Sequence, residues 1–246
     1  MASNTWGREI AEAYDESSAV MFAPEVLNPT VDLLAELAAG GPALEFAVGT
    51  GRVALPLSAR GVRVEGIELS PDMAEQLRAK PGADAVPVTV GDMTTTRVAG
   101  IFTLVYLLWN SIMNVTTQDE QASVFANAAD HLGPGGCFVV EVLVPQLRGV
   151  SPGEPGRVFM REPDHVGIDT FDDMVGQVSW SHHWMQVGDR LVHHAAPYRY
   201  VWPSELDLMA RLAGLRLRDR WAGWHRQPFG SESVLQVVVY EKGQAP

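Results

Sequence analysis

The chain has 246 residues, of which 46% are hydrophobic and 20% charged, with a mean hydropathy of +0.00. That is enough apolar material for one large buried core and too much for a disordered polypeptide. Thirty acidic against 18 basic residues give a formal charge of −12, which repels nucleic-acid backbones and anionic membranes and leaves a small molecule as the expected partner.

Residues 1–9 carry no apolar leader segment, and no window reaches the ~18 apolar residues needed to span a bilayer, so a cytoplasmic protein is expected. The single cysteine, Cys137, excludes an intrachain disulfide; its run Cys137-Phe138-Val139-Val140 makes it a small core hydrophobe. Asn28-Pro29 predicts a helix over 26–40, with Asn28 as cap, Pro29 at the first helical position and Gly40 as terminator. Residues 43–48 read as a buried strand broken by Gly49-Thr50-Gly51, and a short helix follows over 52–60.

Residues 62–68 alternate as a strand, and Ser70-Pro71 opens a helix that stops at Pro81-Gly82. Further strands are predicted at 86–90, 102–108 and 138–144, with a helix between the last two opened by the capping box Thr117-Gln118-Asp119-Glu120. This alternation predicts a Rossmann-like, doubly wound α/β fold, mostly parallel, with its ligand site at the carboxyl ends of the strands.

From residue 145 the pattern changes. Pro152, Gly153, Pro155 and Gly156 mark a loop, and alternating segments at 174–187 and 190–201 flank Gly188-Asp189 as a hairpin, an antiparallel β cap inserted after the fifth strand. A helix at 204–213 and strands at 215–221 and 233–241 close the chain, the final strand antiparallel. The expected organisation is one domain over 1–246, with an N-terminal helical lid region at 1–40 and an inserted β subdomain at 146–201.

The chemistry collects at strand ends. Gly49-Thr50-Gly51 lets a backbone approach a ligand closely. Glu68 stands 19 positions after Gly49, the spacing at which a carboxylate meets a ribose diol, and Asp92 ends the next strand where an adenine amine would lie. Gly49 to Ala54 also satisfies the G-x-G-x-x-A dinucleotide pattern, so a nicotinamide-dependent oxidoreductase is one alternative and a non-catalytic nucleoside-binding module another. Against a pyrophosphate stand three carboxylates, Glu45, Glu68 and Asp92, which suit a cationic nucleoside better.

These residues resemble the class I S-adenosylmethionine-dependent methyltransferases, small-molecule branch, similar to sugar N-methyltransferases and glycine N-methyltransferase. The resemblance runs over about 35–145 through Glu45-Phe46-Ala47-Val48-Gly49-Thr50-Gly51, Gly66-Ile67-Glu68-Leu69-Ser70, Gly91-Asp92-Met93 and 102–110, with Ala47 in place of the first family glycine. It implies methyl transfer to an N or O atom of a small molecule of secondary metabolism, with S-adenosyl-L-methionine as cofactor and S-adenosyl-L-homocysteine as product. It also implies that Glu45, Gly49 and Gly51 face the methionyl part, Glu68 the ribose, Asp92 with Met93 the adenine, that Leu107 and Leu108 flank the methylthio region, and that Ala47 and Leu69 belong to the same cofactor site. Tyr14 would close over the cofactor. DNA acceptors are disfavoured, since 107–112 reads Leu-Leu-Trp-Asn-Ser-Ile rather than Asn-Pro-Pro-Tyr.

On the acceptor side Trp109 would stack and Asn110 hydrogen-bond. Pairing residue 187 with 190 puts His193 across from Trp184 and His194 across from His183, so Trp180, His182, Trp184 and His193 share one face. That face is expected to roof the acceptor pocket, with His182 or His193 as general base and Trp184 as a wall; it also reads as an aromatic face packed on the domain. The His183 and His194 pair lacks a third ligand at a recognisable spacing, so no metal is expected. The sequence carries no signal for oligomeric state.

Overall fold

Strand β1 (Ala43–Phe46) is buried at all four positions, as a strand covered on both faces must be. It pairs in parallel with β2 (Val64–Glu68) on one side and β4 (Phe102–Leu107) on the other. With β3 (Val88–Val90), β5 (Leu132–Leu143), β10 (Leu215–Trp221) and β11 (Leu235–Lys242), these strands form one seven-stranded sheet in the order β10-β11-β5-β4-β1-β2-β3. The pairs β11–β5 and β10–β11 are antiparallel and the rest parallel. This is the expected mixed α/β sheet, seen in a computed structural model that describes residues 6–150 and 153–243. Pro152 and residues 1–5 of the expected leaderless terminus lie outside the described residues.

Helices cover both faces. Val31 and Leu34 of α2 (Pro24–Ala38), Leu57 of α3 (Ala54–Ala59) and Leu77 of α4 (Pro71–Arg78) pack on one side; Val124 and Phe125 of α5 (Gln118–His131) and Leu206 of α6 (Pro203–Leu212) pack on the other. The cap of α4 is Ser70, which accepts the Met73 N–H at 3.2 Å, and Thr117 caps α5 by accepting the Glu120 N–H at 3.2 Å. No helix of the described residues is long and apolar enough to cross a membrane.

Helix α2 starts four residues before the expected cap. Pro24 takes the first-turn position behind Ala23, and Pro29 lies inside the helix. Two X-Pro pairs five residues apart compete for the same role, and the earlier one lets more of the apolar face be buried. Val31, Leu34 and Ala38 of α2 are core residues, and α1 (Arg8–Ser17) precedes them with Ala11 as its buried residue.

The insert is larger than a hairpin. Strands β8 (Val178–Val187) and β9 (Arg190–Arg199) pair in the expected register, with Trp184 across from His193 and His183 across from His194. Two further strands, β6 (Gly156–Arg161) and β7 (His165–Asp173), complete a four-stranded antiparallel sheet. They escaped the sequence reading because charged and glycine positions break their alternation, and the β6–β7 pairing slips between Val158 and Met160.

Candidate active site

The loop after β1 folds back on itself through three left-handed residues, Ala47 at φ +53°, Gly49 at +58° and Gly51 at +81°. At Gly51 a Cβ would meet Leu77 Cγ at 2.9 Å, so glycine is needed there for space as well as for backbone angle. The turn is tied to the next strand: Gly49 donates its N–H to Glu68 Oε2 at 2.8 Å, while Ser70 donates to Glu68 Oε1 at 2.9 Å. Burial raises the Glu68 pKa, and the two amides work against that rise.

Glu68 stands in the wall of a cavity of about 370 Å³ whose floor includes Ala47, Leu69, Asp92 and Met93 and whose far side is built by Trp6, Ala196 and Pro197. The Asp92 carboxylate accepts the N–H and hydroxyl of Thr94 at 2.8 and 2.7 Å, which fixes it at the end of β3. The volume is in the range of small-molecule sites. Two of Glu68's lone-pair positions are taken by amides, and its remaining ones suit a vicinal diol; Asp92 accepts from an amine. The cavity therefore fits an adenosine.

Other expected residues lie elsewhere. Glu45 is 5% exposed and accepts the Tyr106 hydroxyl at 2.9 Å beneath the glycine turn. It does not line the cavity, and burial pushes its pKa up to about 8, so it is largely neutral at pH 7. Of the three expected carboxylates, Glu68 and Asp92 line the cavity and Glu45 does not; Glu120, in the first turn of α5, is a further carboxylate in the lining. Leu107 and Leu108 are core side chains on opposite faces of the sheet rather than walls of a methylthio site. Tyr14 is half-buried, edge-on to Trp6 at 5.8 Å and within the fields of Arg52 and Glu68.

The histidine face is the more exposed face of the inserted sheet. His182, Trp184 and His193 do share a face, stacked with ring centroids 4.5–5.6 Å apart. Alternation puts buried Ser179, Ser181 and Ala196 on the opposite face with Asp169 and Tyr198, whereas the stack's own face carries exposed Trp180 and Val166; of the two cavity-lining residues of β9, Ala196 belongs to the buried face and Pro197 to the stack's face. The stack therefore looks outward, beside exposed Leu191 and Val166. On the inward face His183 Nδ1 lies 2.8 Å from His165 Nε2, and among the described residues no three potential metal ligands converge.

Sequence reasoning missed Glu141. Its carboxylate, 6% exposed at the end of β5, accepts the Trp109 N–H at 2.9 Å and the Trp224 indole N–H at 2.7 Å. Trp109 and Asn110 are both left-handed, at φ +53° and +60°. The Asn110 N–H reaches the Glu141 carbonyl at 3.2 Å, and Asn110 Oδ1 accepts from Leu143 at 2.7 Å. The signal was available: the strand-end logic that found Glu68 and Asp92 applies equally to β5. Trp109 remains 44% exposed beside the glycine turn, and its ring carries the Arg52 guanidinium at 5.6 Å.

Residues 43–136 match the family model described as a methyltransferase domain. The CcbJ methyltransferase from Streptomyces caelestis is 33% identical, with 98% of each chain covered and a TM-score of 0.86. The cypemycin N-terminal methyltransferase of a Streptomyces species is 24% identical over 93% of this chain and 97% of its own. The fold is also shared with S-adenosylmethionine-bound CalS10, an amino pentose methyltransferase from Micromonospora echinaspora, at 22% identity, coverage of 95% and 96%, and a TM-score of 0.72. A full-length match of this identity sets aside the nicotinamide reading, and the chain belongs to the S-adenosylmethionine-dependent methyltransferases.

Proposed function

We propose that the protein methylates an amine nitrogen of a small-molecule acceptor in secondary metabolism, beneath the inserted sheet. The observation that carries the choice of nitrogen is Asp169, half-buried on the inward face of the roof, bonded by Ser181, with its pKa raised by burial. A carboxylate of raised proton affinity takes a proton from an ammonium, whereas a hydroxyl acceptor calls for a stronger base. Two of the relatives above are named for an N-terminal and an amino-sugar acceptor, which agrees with this choice.

In this reading Glu68 accepts from the ribose hydroxyls, Asp92 and Met93 hold the adenine, and the Ala47–Gly51 turn faces the methionyl part. Bound S-adenosylmethionine supplies a methyl group on a sulfonium, so no nucleophilic side chain is required. The protein's contribution is alignment, worth up to roughly 7–11 kcal/mol, together with removal of one proton by Asp169. Helix α1 with Tyr14 closes one side, the insert over 146–201 closes the other, and Trp109 offers its exposed ring to the acceptor. Tyr198 shares the inward face with Asp169, and its pKa is raised by burial first and then by the charges of Asp169 and Tyr14.

The test is incubation with S-adenosylmethionine and matched amine and hydroxyl acceptors, aminosugar nucleotides and short peptides included. Formation of S-adenosylhomocysteine in step with N-methylated product is expected. Methylation confined to the hydroxyl partners contradicts the proposal.

A further inference from the structure

A row of polar groups runs along the inward face of the inserted sheet, starting at Asp169. Asp169 of β7 stands directly opposite Ser181 of β8 in the ladder, and the Ser181 hydroxyl bonds its carboxylate. Next along β8 on the same face is His183, whose Nε2 lies 3.4 Å from Ser181 Oγ. His183 Nδ1 lies 2.8 Å from Nε2 of His165, the first residue of β7. Gly167, opposite His183, has no side chain to displace Phe159, which packs edge-on to the His183 ring at 5.4 Å between centroids.

Each link joins groups that both take up and release a proton. A carboxylic acid, a hydroxyl and a neutral imidazole each present one donor and at least one acceptor, and a bond between two imidazoles needs one ring to donate and the other to accept. Burial, followed by the charges of His165, His194 and His182, lowers the His183 pKa and keeps that ring largely neutral at pH 7. The charges felt at Asp169 are those of Arg157 and His182. The far end of the row is open: His165 is half-buried and lines a second cavity, of about 350 Å³, together with the exposed Val166 and Leu191 of the outward face. The row therefore leads from the half-buried carboxylate to the outer surface of the sheet.

We propose that Ser181, His183 and His165 form a proton relay that carries the proton taken up by Asp169 out to solvent. The inference rests on the reading of Asp169 as the base for an amine acceptor, and the three relay residues act through Asp169 rather than on the substrate. With both rings in the Nδ1–H form, protonated Asp169 gives its proton to Ser181 Oγ while Ser181 passes its own to His183 Nε2. His183 releases its Nδ1 proton to His165 Nε2, and His165, an imidazolium at that moment, gives its Nδ1 proton to water. One proton leaves, no group keeps a charge it did not have, and Asp169 is again a carboxylate ready for the next ammonium.

Methyl turnover with S-adenosylmethionine and the aminosugar nucleotides and short peptides named above tests this. His183→Ala should lower kcat by about tenfold or more, with the KM for S-adenosylmethionine within about twofold of native, and added imidazole should restore most of the loss. His183→Gln keeps hydrogen-bonding groups but carries no proton, so it should be slowed as much as His183→Ala, and His165→Gln should be slowed as well. The relay is overturned, with Asp169 still the base, if Asp169→Asn is slow while His183→Gln works at the native rate, or if imidazole restores nothing to His183→Ala. A native rate in Asp169→Asn, or no N-methylation of any of these amines by the native protein, overturns the Asp169 reading and the relay with it.

Discussion

Glu68 accepts the Gly49 N–H at 2.8 Å across 19 residues of chain, so one carboxylate both shapes the glycine turn and lines the cavity beside it. A residue with two such tasks gives two separable phenotypes. Glu68→Ala leaves the amides of Gly49 and Ser70 without their acceptor, and urea unfolding should show a loss of about 1–3 kcal/mol. Glu68→Gln keeps an acceptor for one of them and should lose less.

Ala47 stands at φ +53°, a conformation that costs a side-chain-bearing residue roughly 1–2 kcal/mol, where the family pattern has glycine. Ala47→Gly relieves that strain against a smaller entropic cost in the unfolded chain. A gain of about 0.5–1 kcal/mol in thermal or urea unfolding is expected; a loss would mean that the Ala47 methyl is needed for packing.

Glu45 gives a pH dependence of definite sign. Its folded pKa of about 8 is above the unfolded value of 4.5, so the folded state holds the extra proton and stability falls as pH rises through that window. His131 and His183 have pKa values lowered by burial and act the other way up to about pH 6.5. The clean interval is therefore pH 6.5–8, where unfolding free energy should decline by up to about 1.4 kcal/mol per pH unit. Glu45→Gln, which can still accept from Tyr106, should flatten the slope.

The Glu141 clamp predicts a shared defect. Removing the indole donor with Trp224→Phe should cost about 1.5–3 kcal/mol, the range for a hydrogen bond to a charged group, and loosen Trp109. Near-ultraviolet circular dichroism and tryptophan fluorescence should change together in Trp224→Phe and Glu141→Gln. A fluorescence change in Trp224→Phe no larger than loss of its own emission would argue that the two tryptophans are not coupled.

The two faces of the insert predict opposite outcomes for two substitutions. Asp169→Asn, on the inward face, should lower kcat by about 10²-fold or more and change its pH profile, while His182→Ala, on the outward stack, should stay within about twofold. The reverse pattern would return the base to the histidines.

Helix caps, strand ends and the two-residue hairpin turn are local signals, and they carried the αβ alternation, the strand-end positions of Glu68 and Asp92 and the β8–β9 register from sequence alone. Strand β7 was invisible because Gly167, Asp169 and Asp172-Asp173 interrupt its alternation, and β6 with it; pairing of β7 with β8, and of β6 with β7, holds them in the sheet. The register showed that His182 and His193 share a face but not which face looks inward. That depends on how the insert docks, which is fixed by distant contacts such as buried Arg199, bonded to Glu205 at 2.6 Å and to Gln121 at 2.5 Å. Glu45 looked like its acidic partners in sequence; only β1 packing against Tyr106 revealed it as a buried, largely neutral group.

The most direct measurement is calorimetric titration of native protein and Glu68→Gln with S-adenosylhomocysteine and its ribose-dideoxy analogue. The native protein should bind the ribose form roughly tenfold or more tightly, and Glu68→Gln should bind both alike. An undiminished preference in Glu68→Gln would mean that the ribose lies elsewhere and that the Glu68–Asp92 cavity is not the cofactor site.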